Sequence, residues 1–216
     1  MRVDQRTAGR FAIASGTTII AAAVVLVIFF LVEAPALVES GDVDRITVFG
    51  STNDALIALS LLLLVPVALF VARVGEPRGL HQVAAYVGLA GLGLGTVFMV
   101  TTALRVIDYG TNSILLGVAF AMVGAWLLTL NVPAAASLMF GSGARRAGVL
   151  AGLAFLLTGG FAAIAGPSAT ANPAALMSSP IPVALLGAGT AGVHLATPVW
   201  AILTGRRWVA GNEGRP

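Results

Sequence analysis

Residues 55–73, ALIALSLLLLVPVALFVAR, carry no charge before Arg73. At ~1.5 Å of rise per residue, a helix of about 20 such residues crosses the ~30 Å hydrocarbon core of a bilayer. Five more apolar segments of similar length lie around this one, and together they predict helices near 11–32, 55–73, 81–104, 113–133, 147–166 and 181–204. The expected fold is all-α, a polytopic membrane protein in which residues 1–216 form a single six-transmembrane-helix bundle. The first segment is longer than the roughly 7–15 residues of a signal h-region and has no clear small-x-small cleavage site. It is therefore expected to remain as a helix.

Composition agrees with lipid as the main solvent. Of the 216 residues, 58% are hydrophobic and 10% charged, against about 25% charged in soluble domains. The 26 glycines and ten prolines would mark a loop-rich soluble protein, but in a membrane bundle small residues let helix backbones approach closely. The chain has no cysteine, which excludes disulfides, thiol catalysis and thiolate metal sites. All twelve basic side chains are arginine, which removes Schiff-base chemistry and any Walker-type lysine. Net charge is +3 and the arginines are scattered over short loops. The basic pI therefore does not indicate a nucleic-acid partner.

The arginines orient the bundle. Arg2, Arg6 and Arg10 precede the first helix, and Arg73 and Arg78 flank the second turn. Arg145 and Arg146 precede the fifth helix, and Arg206, Arg207 and Arg215 lie at or beyond the end of the sixth. Arg45 and Arg105 fall on the opposite side, with Glu33, Glu39, Asp42, Asp44, Asp54 and Asp108. The positive-inside rule then places both termini in the cytoplasm of a multi-pass protein of the cell membrane. Two outer loops have some length: an acidic one over 33–54 and an uncharged one over 167–180. The latter is expected at the headgroups.

Glycine pairs mark expected packing faces: Gly91 with Gly95, Gly148 with Gly152, and Gly187, Gly189 and Gly192 in the last helix. Pro66 and Pro198 fall inside predicted helices and are expected to kink them. Trp126, Trp200 and Trp208 lie toward the inner ends of their helices and read as interface anchors.

Few side chains carry chemistry. His194 is placed near mid-membrane, roughly 15 Å from the inner end of the last helix at ~1.5 Å per residue, where an ionisable group is a functional candidate by default. It is expected to face the bundle interior, mostly neutral, and bonded to Thr190, Thr197 or another polar group. A structural role and a ligand-binding or proton-handling role both stand. His81 begins the third helix at the inner surface, about 10–15 Å away in depth by helix rise, so the two histidines do not suit a bis-histidine haem. A catalytic zinc site would need three protein ligands. No cofactor or metal is expected. Asp42-Val43-Asp44 lacks the remaining ligands of a calcium loop. Asn53 and Asp54 are placed to cap the second helix, and Arg105 and Asp108 are spaced to pair locally. Asp54 and Arg105 are also candidates for binding an external ligand. No Ser–His–Asp arrangement is present at one depth.

Several short motifs carry a resemblance: Arg6-Thr7-Ala8 running into the first helix, Arg145-Arg146-Ala147-Gly148-Val149-Leu150 entering the fifth, and Trp200 five residues before Gly205. In these the chain resembles the small six-helix bacterial membrane proteins classed as a domain of unknown function. The order of elements covers nearly the whole chain. It departs from the family pattern in the first helix, where the early glycine is displaced to Gly9 or Gly16. The resemblance implies topology and supplies no catalytic residues.

Without buried charge and with abundant packing surface, the sequence reads as a non-enzymatic scaffold or accessory subunit. Its partners would be the lipid bilayer and other membrane subunits or a second copy of the chain. The alternative is a carrier or channel for a neutral, lipophilic or lipid-like molecule, which needs only an apolar cavity with a few polar groups.

Overall fold

A computed structural model of the protein describes residues 3–40, 46–74, 80–107, 109–132, 139–171 and 180–211. The fold is all-α. Among the described residues there are seven helices: α1 (Gln5–Val32), α2 (Ala34–Ser40), α3 (Val48–Val74), α4 (Leu80–Ala103), α5 (Tyr109–Asn131), α6 (Ser142–Ala171) and α7 (Pro180–Ala210). Four of them are long and apolar enough to cross a membrane: α1, α3, α4 and α5. A polytopic membrane bundle is the plausible architecture. Pro66 and Pro198 both lie inside helices that continue on either side of them. Asp42, Asp44, Asp108 and most of the uncharged loop, 172–179, lie outside the described residues, as do Arg2, Arg45, Arg78 and Arg215.

The helices pack in a closed ring. α1 packs on α3, α3 on α4, α4 on α5, α5 on α6, α6 on α7, and α7 returns to α1. Small residues set the tightest seams. On α5 and α6, a Cβ on Gly124 would lie 2.7 Å from the Gly152 carbonyl oxygen, and one on Gly159 would lie 2.5 Å from that of Gly117. Each helix thus presents glycines seven residues apart to the other, two turns along one face. The α4–α5 seam uses Gly91, where a Cβ would lie 2.7 Å from the Met122 Cβ. Gly95 faces Leu61 of α3, and Gly189 and Gly192 face Thr158 and Ala154 of α6. Gly187 departs from the expected pattern, since nothing lies within 4 Å of a Cβ built there. Gly9 and Gly205 meet backbone to backbone, so the start of α1 and the end of α7 share one end of the ring.

The centre is filled rather than open. Leu64, Val67, Leu92, Val123, Trp126 and Trp200 are fully buried. Phe70, Trp208, Phe140, Trp200 and Trp126 form a continuous aromatic chain, with successive ring centroids 5.0, 5.8, 6.4 and 6.1 Å apart. The expectation that the three tryptophans are interface anchors is therefore overturned: all are buried, Trp208 being the most exposed of them at 2%. Offset and edge-to-face aromatic pairs fill large volumes, and the small residues around them leave that space. Gly88 lies directly against the Trp126 ring.

Outward, every long helix shows apolar side chains. Val24, Leu62, Val97 and Val118 are more than half or about half exposed on α1, α3, α4 and α5, and Leu150 and Leu195 repeat this on α6 and α7. The threonines of these faces satisfy themselves: Thr17, Thr18, Thr52, Thr96 and Thr129 each donate to a carbonyl three or four residues back. This back-bonding removes the cost of a hydroxyl facing hydrocarbon.

The acidic stretch over 33–54 is not simply a loop. It contains α2, and α3 begins at Val48, ahead of the expected start at 55. Asn53 and Asp54 therefore sit inside α3 and do not cap it. The cap is Glu33, whose carboxylate accepts from the backbone N–H groups of Val48 (2.8 Å), Phe49 (2.9 Å) and Gly50 (3.3 Å). These are helix-start donors with no partner within the helix, and a negative charge there also meets the favourable end of the helix dipole.

Candidate functional site

The candidate residues separate into two places. Asp54 and Arg105 lie together at the end of the ring where α3 starts and α4 stops, while His194 lies on α7.

At that end α4 closes with Arg105 in the left-handed region at φ 52°. The Val106 N–H bonds to the Thr101 carbonyl and the Arg105 N–H to that of Thr102, both at 3.1 Å. This is the pattern of a helix terminated by a residue that is usually glycine. Arg105 is half-buried, its charge acts on Asp54, and Asn53 donates to the Asp54 carboxylate at 3.4 Å. The expected partner Asp108 lies outside the described residues, and Asp54 is the carboxylate found beside Arg105. Nearby, Asn112 at the start of α5 ties the end of α4 down. It donates to the Phe98 carbonyl at 3.1 Å, accepts from the Thr101 hydroxyl at 3.0 Å and also bonds the Thr102 hydroxyl. Nothing in the spacing of the sequence singled out Asn112. Its signal was only an amide next to an apolar run.

At the opposite end, Arg145 donates to the carbonyls of Asn131 (3.1 Å), the last residue of α5, and Val132 (3.2 Å), just beyond it. A guanidinium there satisfies orphan acceptors and complements the dipole. Trp208 Nε1 donates to the Met139 carbonyl at 3.1 Å. Asp4 caps α1 by accepting from the Thr7 N–H at 2.7 Å, and that bond holds its carboxyl below the ordinary range.

His194 lies near the middle of α7, and His81 near the start of α4. The Nδ1 of His194 bonds the Thr190 carbonyl at 2.8 Å, within its own helix. A carbonyl only accepts, so Nδ1 carries a proton, and in the neutral ring Nε2 is then an acceptor. Nε2 is buried and has no hydrogen-bond partner. The residue is half-buried and is among those lining a groove of about 490 Å³ between α1 and α7, beside Ile20, Val24, Pro198 and Val199. Several of those neighbours belong to the outward apolar surface, Val24 being 57% and Leu195 68% exposed. The reason is helical phase: Val193, Thr197, Trp200 and Thr204 take the buried face of α7, and His194 falls at its edge.

A second buried polar contact went unnoticed in the sequence. The Ser15 hydroxyl of α1 lies 3.1 Å from the Ser60 carbonyl and 3.0 Å from the Ser60 hydroxyl of α3. It links two helices within their apolar lengths. Among the described residues, buried polar side chains are only serine, threonine and asparagine, and no group of three His, Cys, Asp or Glu is placed to hold a metal. No protein-family model, curated protein or solved structure matches this chain, so no family is identified, and the chain stands as a helical protein with four candidate membrane spans.

Proposed function

We propose that the protein crosses the bilayer six times with both termini in the cytoplasm, and that it works as a non-enzymatic scaffold or accessory subunit of a membrane complex. The single observation that carries the functional reading is the closed, aromatic-filled ring. A channel needs a continuous polar or wettable path, and proton or ion transport draws on ionisable groups inside the membrane. Here the axis holds Trp126, Trp200 and Phe140, and no charged side chain is among the described buried residues. A core of this kind favours a rigid body whose outer surface is its working part. In this reading Asp54 and Arg105 hold the ends of α3 and α4 together.

Six spans are supported by the last two helices. α6 and α7 are 30 and 31 residues long, close the ring between α5 and α1, and expose Leu150, Leu153, Leu195 and Val199 outward. The orientation is supported by Arg6, Arg10, Arg73, Arg145, Arg146, Arg206 and Arg207, which the ring gathers toward one end.

Because the chain lacks cysteine, each introduced cysteine is a unique label. Ile46→Cys should react with a membrane-impermeant maleimide in intact cells and Gly211→Cys should not. Labelling of Gly211→Cys without lysis would overturn the orientation. Cross-linking in membranes followed by native mass spectrometry should capture a partner membrane chain or a second copy. A monomer free of partners that conducts solutes in proteoliposomes would overturn the scaffold reading.

A further inference from the structure

We propose that the groove between the end of α5 and the start of α6 is a binding site for an anionic phospholipid, with Arg145 and Arg146 on its phosphate and an acyl chain along α6. The site rests on the reading in which α6 spans the bilayer.

The groove has a volume of about 710 Å³. Val132 lines it beyond the end of α5, and Ser142, Arg145, Arg146, Val149 and Leu150 line it on α6; none of its lining residues is acidic. The two arginines differ in state. Arg145 is half-buried, and its Nε and Nη2 donate to the Asn131 and Val132 carbonyls at 3.1 and 3.2 Å. Those bonds fix the guanidinium in the wall of the groove and leave donors unused on a group that carries five N–H. Arg146 is exposed and, among the described residues, has no hydrogen-bond or ion-pair partner. Two adjacent positive charges with no carboxylate in the same groove call for an anion from outside the chain. Guanidinium groups match phosphate geometry through paired N–H donors. α6 also begins here, with Ser142 its first residue, so the positive end of its dipole adds to the two charges.

The apolar half of the groove selects a lipid over a soluble anion. Arg146, Leu150, Leu153 and Leu157 follow at i, i+4, i+7 and i+11, which places them on one face of α6. The three leucines are 60, 46 and 42% exposed, and Val132 across the groove is 61% exposed. From Arg146 to Leu157 the helix rises about 16 Å at ~1.5 Å per residue, which is roughly one leaflet of a ~30 Å hydrocarbon core. A guanidinium above a leucine stripe of that length fits a phosphate above an acyl chain, whereas a soluble phosphate would leave the stripe unused. A zwitterionic headgroup would bring its own cation to two like charges, so the headgroup that fits is anionic. Arg10 at the same end of the ring shows the contrast. It is exposed too, but Ala14, Thr17 and Ala21 follow it at the same spacings.

The experiment places the protein in phosphatidylcholine nanodiscs with a trace of photoreactive phosphatidylglycerol or phosphatidylcholine, each with the same diazirine-bearing acyl chain. Labelling is read over residues 146–157 of α6. The phosphatidylglycerol probe should label them about fivefold more than the phosphatidylcholine probe. Arg146→Gln should remove most of that preference and Arg146→Lys should retain most of it. Arg10→Gln, which removes the same charge at the same end, should leave it unchanged. Ser142→Glu, which sets a carboxylate in the groove at a helix position that favours one, should also remove the preference and serves if Arg146→Gln fails to fold. Equal labelling of the wild type by both probes would overturn headgroup recognition while leaving α6 in lipid. A loss in Arg10→Gln as large as that in Arg146→Gln would overturn the site in favour of diffuse attraction to the basic end. Displacement of the probe by excess glycerol phosphate would assign the groove to a soluble anion and overturn the lipid. Absence of labelling by either probe would overturn the groove as a lipid site, and maleimide accessibility of the Ile46→Cys and Gly211→Cys variants reports separately on the six-span reading.

Discussion

Replacing Gly124 with alanine should destabilise the bundle, whereas the same change at Gly93 should not. A Cβ on Gly124 would lie 2.7 Å from the Gly152 carbonyl oxygen, 2.9 Å from Leu156 Cγ and 3.0 Å from the Leu156 nitrogen. Two of those atoms belong to the α6 backbone, which cannot rotate aside as a side-chain tip can. Restoring ordinary contact at 3.4 Å requires the helices to part by about 0.7 Å, and a gap of ~0.5–1 Å forfeits a quarter to a half of each dispersion well. Over the atom pairs of the Gly117–Gly159 and Gly124–Gly152 seam the expected loss is about 1–3 kcal/mol, the usual cost of overpacking. Gly93 meets nothing within 4 Å, so Gly93→Ala carries only the propensity difference between glycine and alanine, which favours alanine by up to ~1 kcal/mol. Reversible unfolding in mixed micelles, titrated with sodium dodecyl sulfate, measures both. Tryptophan fluorescence is a suitable signal because Trp126, Trp200 and Trp208 are buried. The reasoning fails if Gly124→Ala is as stable as Gly93→Ala within about 0.5 kcal/mol, a spread typical of neutral surface substitutions.

Three further outcomes are expected. Glu33→Ala strands the N–H groups of Val48, Phe49 and Gly50 and should cost about 1–3 kcal/mol in the same unfolding assay, with faster amide exchange confined to the first turn of α3. Glu33→Gln should recover part of that loss. Arg105→Gly should be more stable than Arg105→Ala by about 1 kcal/mol, because both lose the guanidinium beside Asp54 and only glycine is free of strain at positive φ; equal stabilities would mean that the left-handed cap is not retained. The Asp4 carboxyl is held below the ordinary carboxylate range by the Thr7 N–H, so its cap is fully present above the unfolded value and is lost as pH falls through the depressed one. Hydrogen exchange at Thr7 should therefore accelerate on acidification in the wild type, with no matching pH-dependent step in Asp4→Asn.

The features legible in the sequence were those written in local order. Apolar runs marked the long helices, since length and hydropathy require no knowledge of neighbours. Gly91, Gly95, Gly148 and Gly152 marked packing faces, because a glycine in an apolar helix has few uses other than close approach. Gly187 shows the limit: the same spacing rule chose it, yet no neighbour lies opposite. The Glu33 cap was hidden because its donors are 15–17 residues further along, and a local capping rule prefers the nearer Asn53 and Asp54. The tryptophans misled for a related reason. Their sequence position near helix ends is shared by interface anchors and by plugs, and only the ring closure of α7 onto α1 decides between them.

His194 best shows what physical reading adds to depth. Sequence position fixes how far along the helix an imidazole sits, and depth alone argues that it must turn inward to find a partner. That argument assumes the partner belongs to another helix. In the structure the Thr190 carbonyl of α7 supplies the bond, so the ring is released from the bundle interior and can stand at its edge. In the neutral ring the same local bond fixes the tautomer, with the proton on Nδ1. Pro198, one turn further on, removes the helix donor of the His194 carbonyl. A residue whose ring bonds within its own helix, with Nε2 buried and unpartnered, makes no hydrogen bond that staples α7 to another helix. Ser15 and Ser60, with hydroxyl and carbonyl matched across α1 and α3, show the contrasting arrangement. Polar groups that hold this bundle together close their hydrogen bonds between helices, and His194 does not.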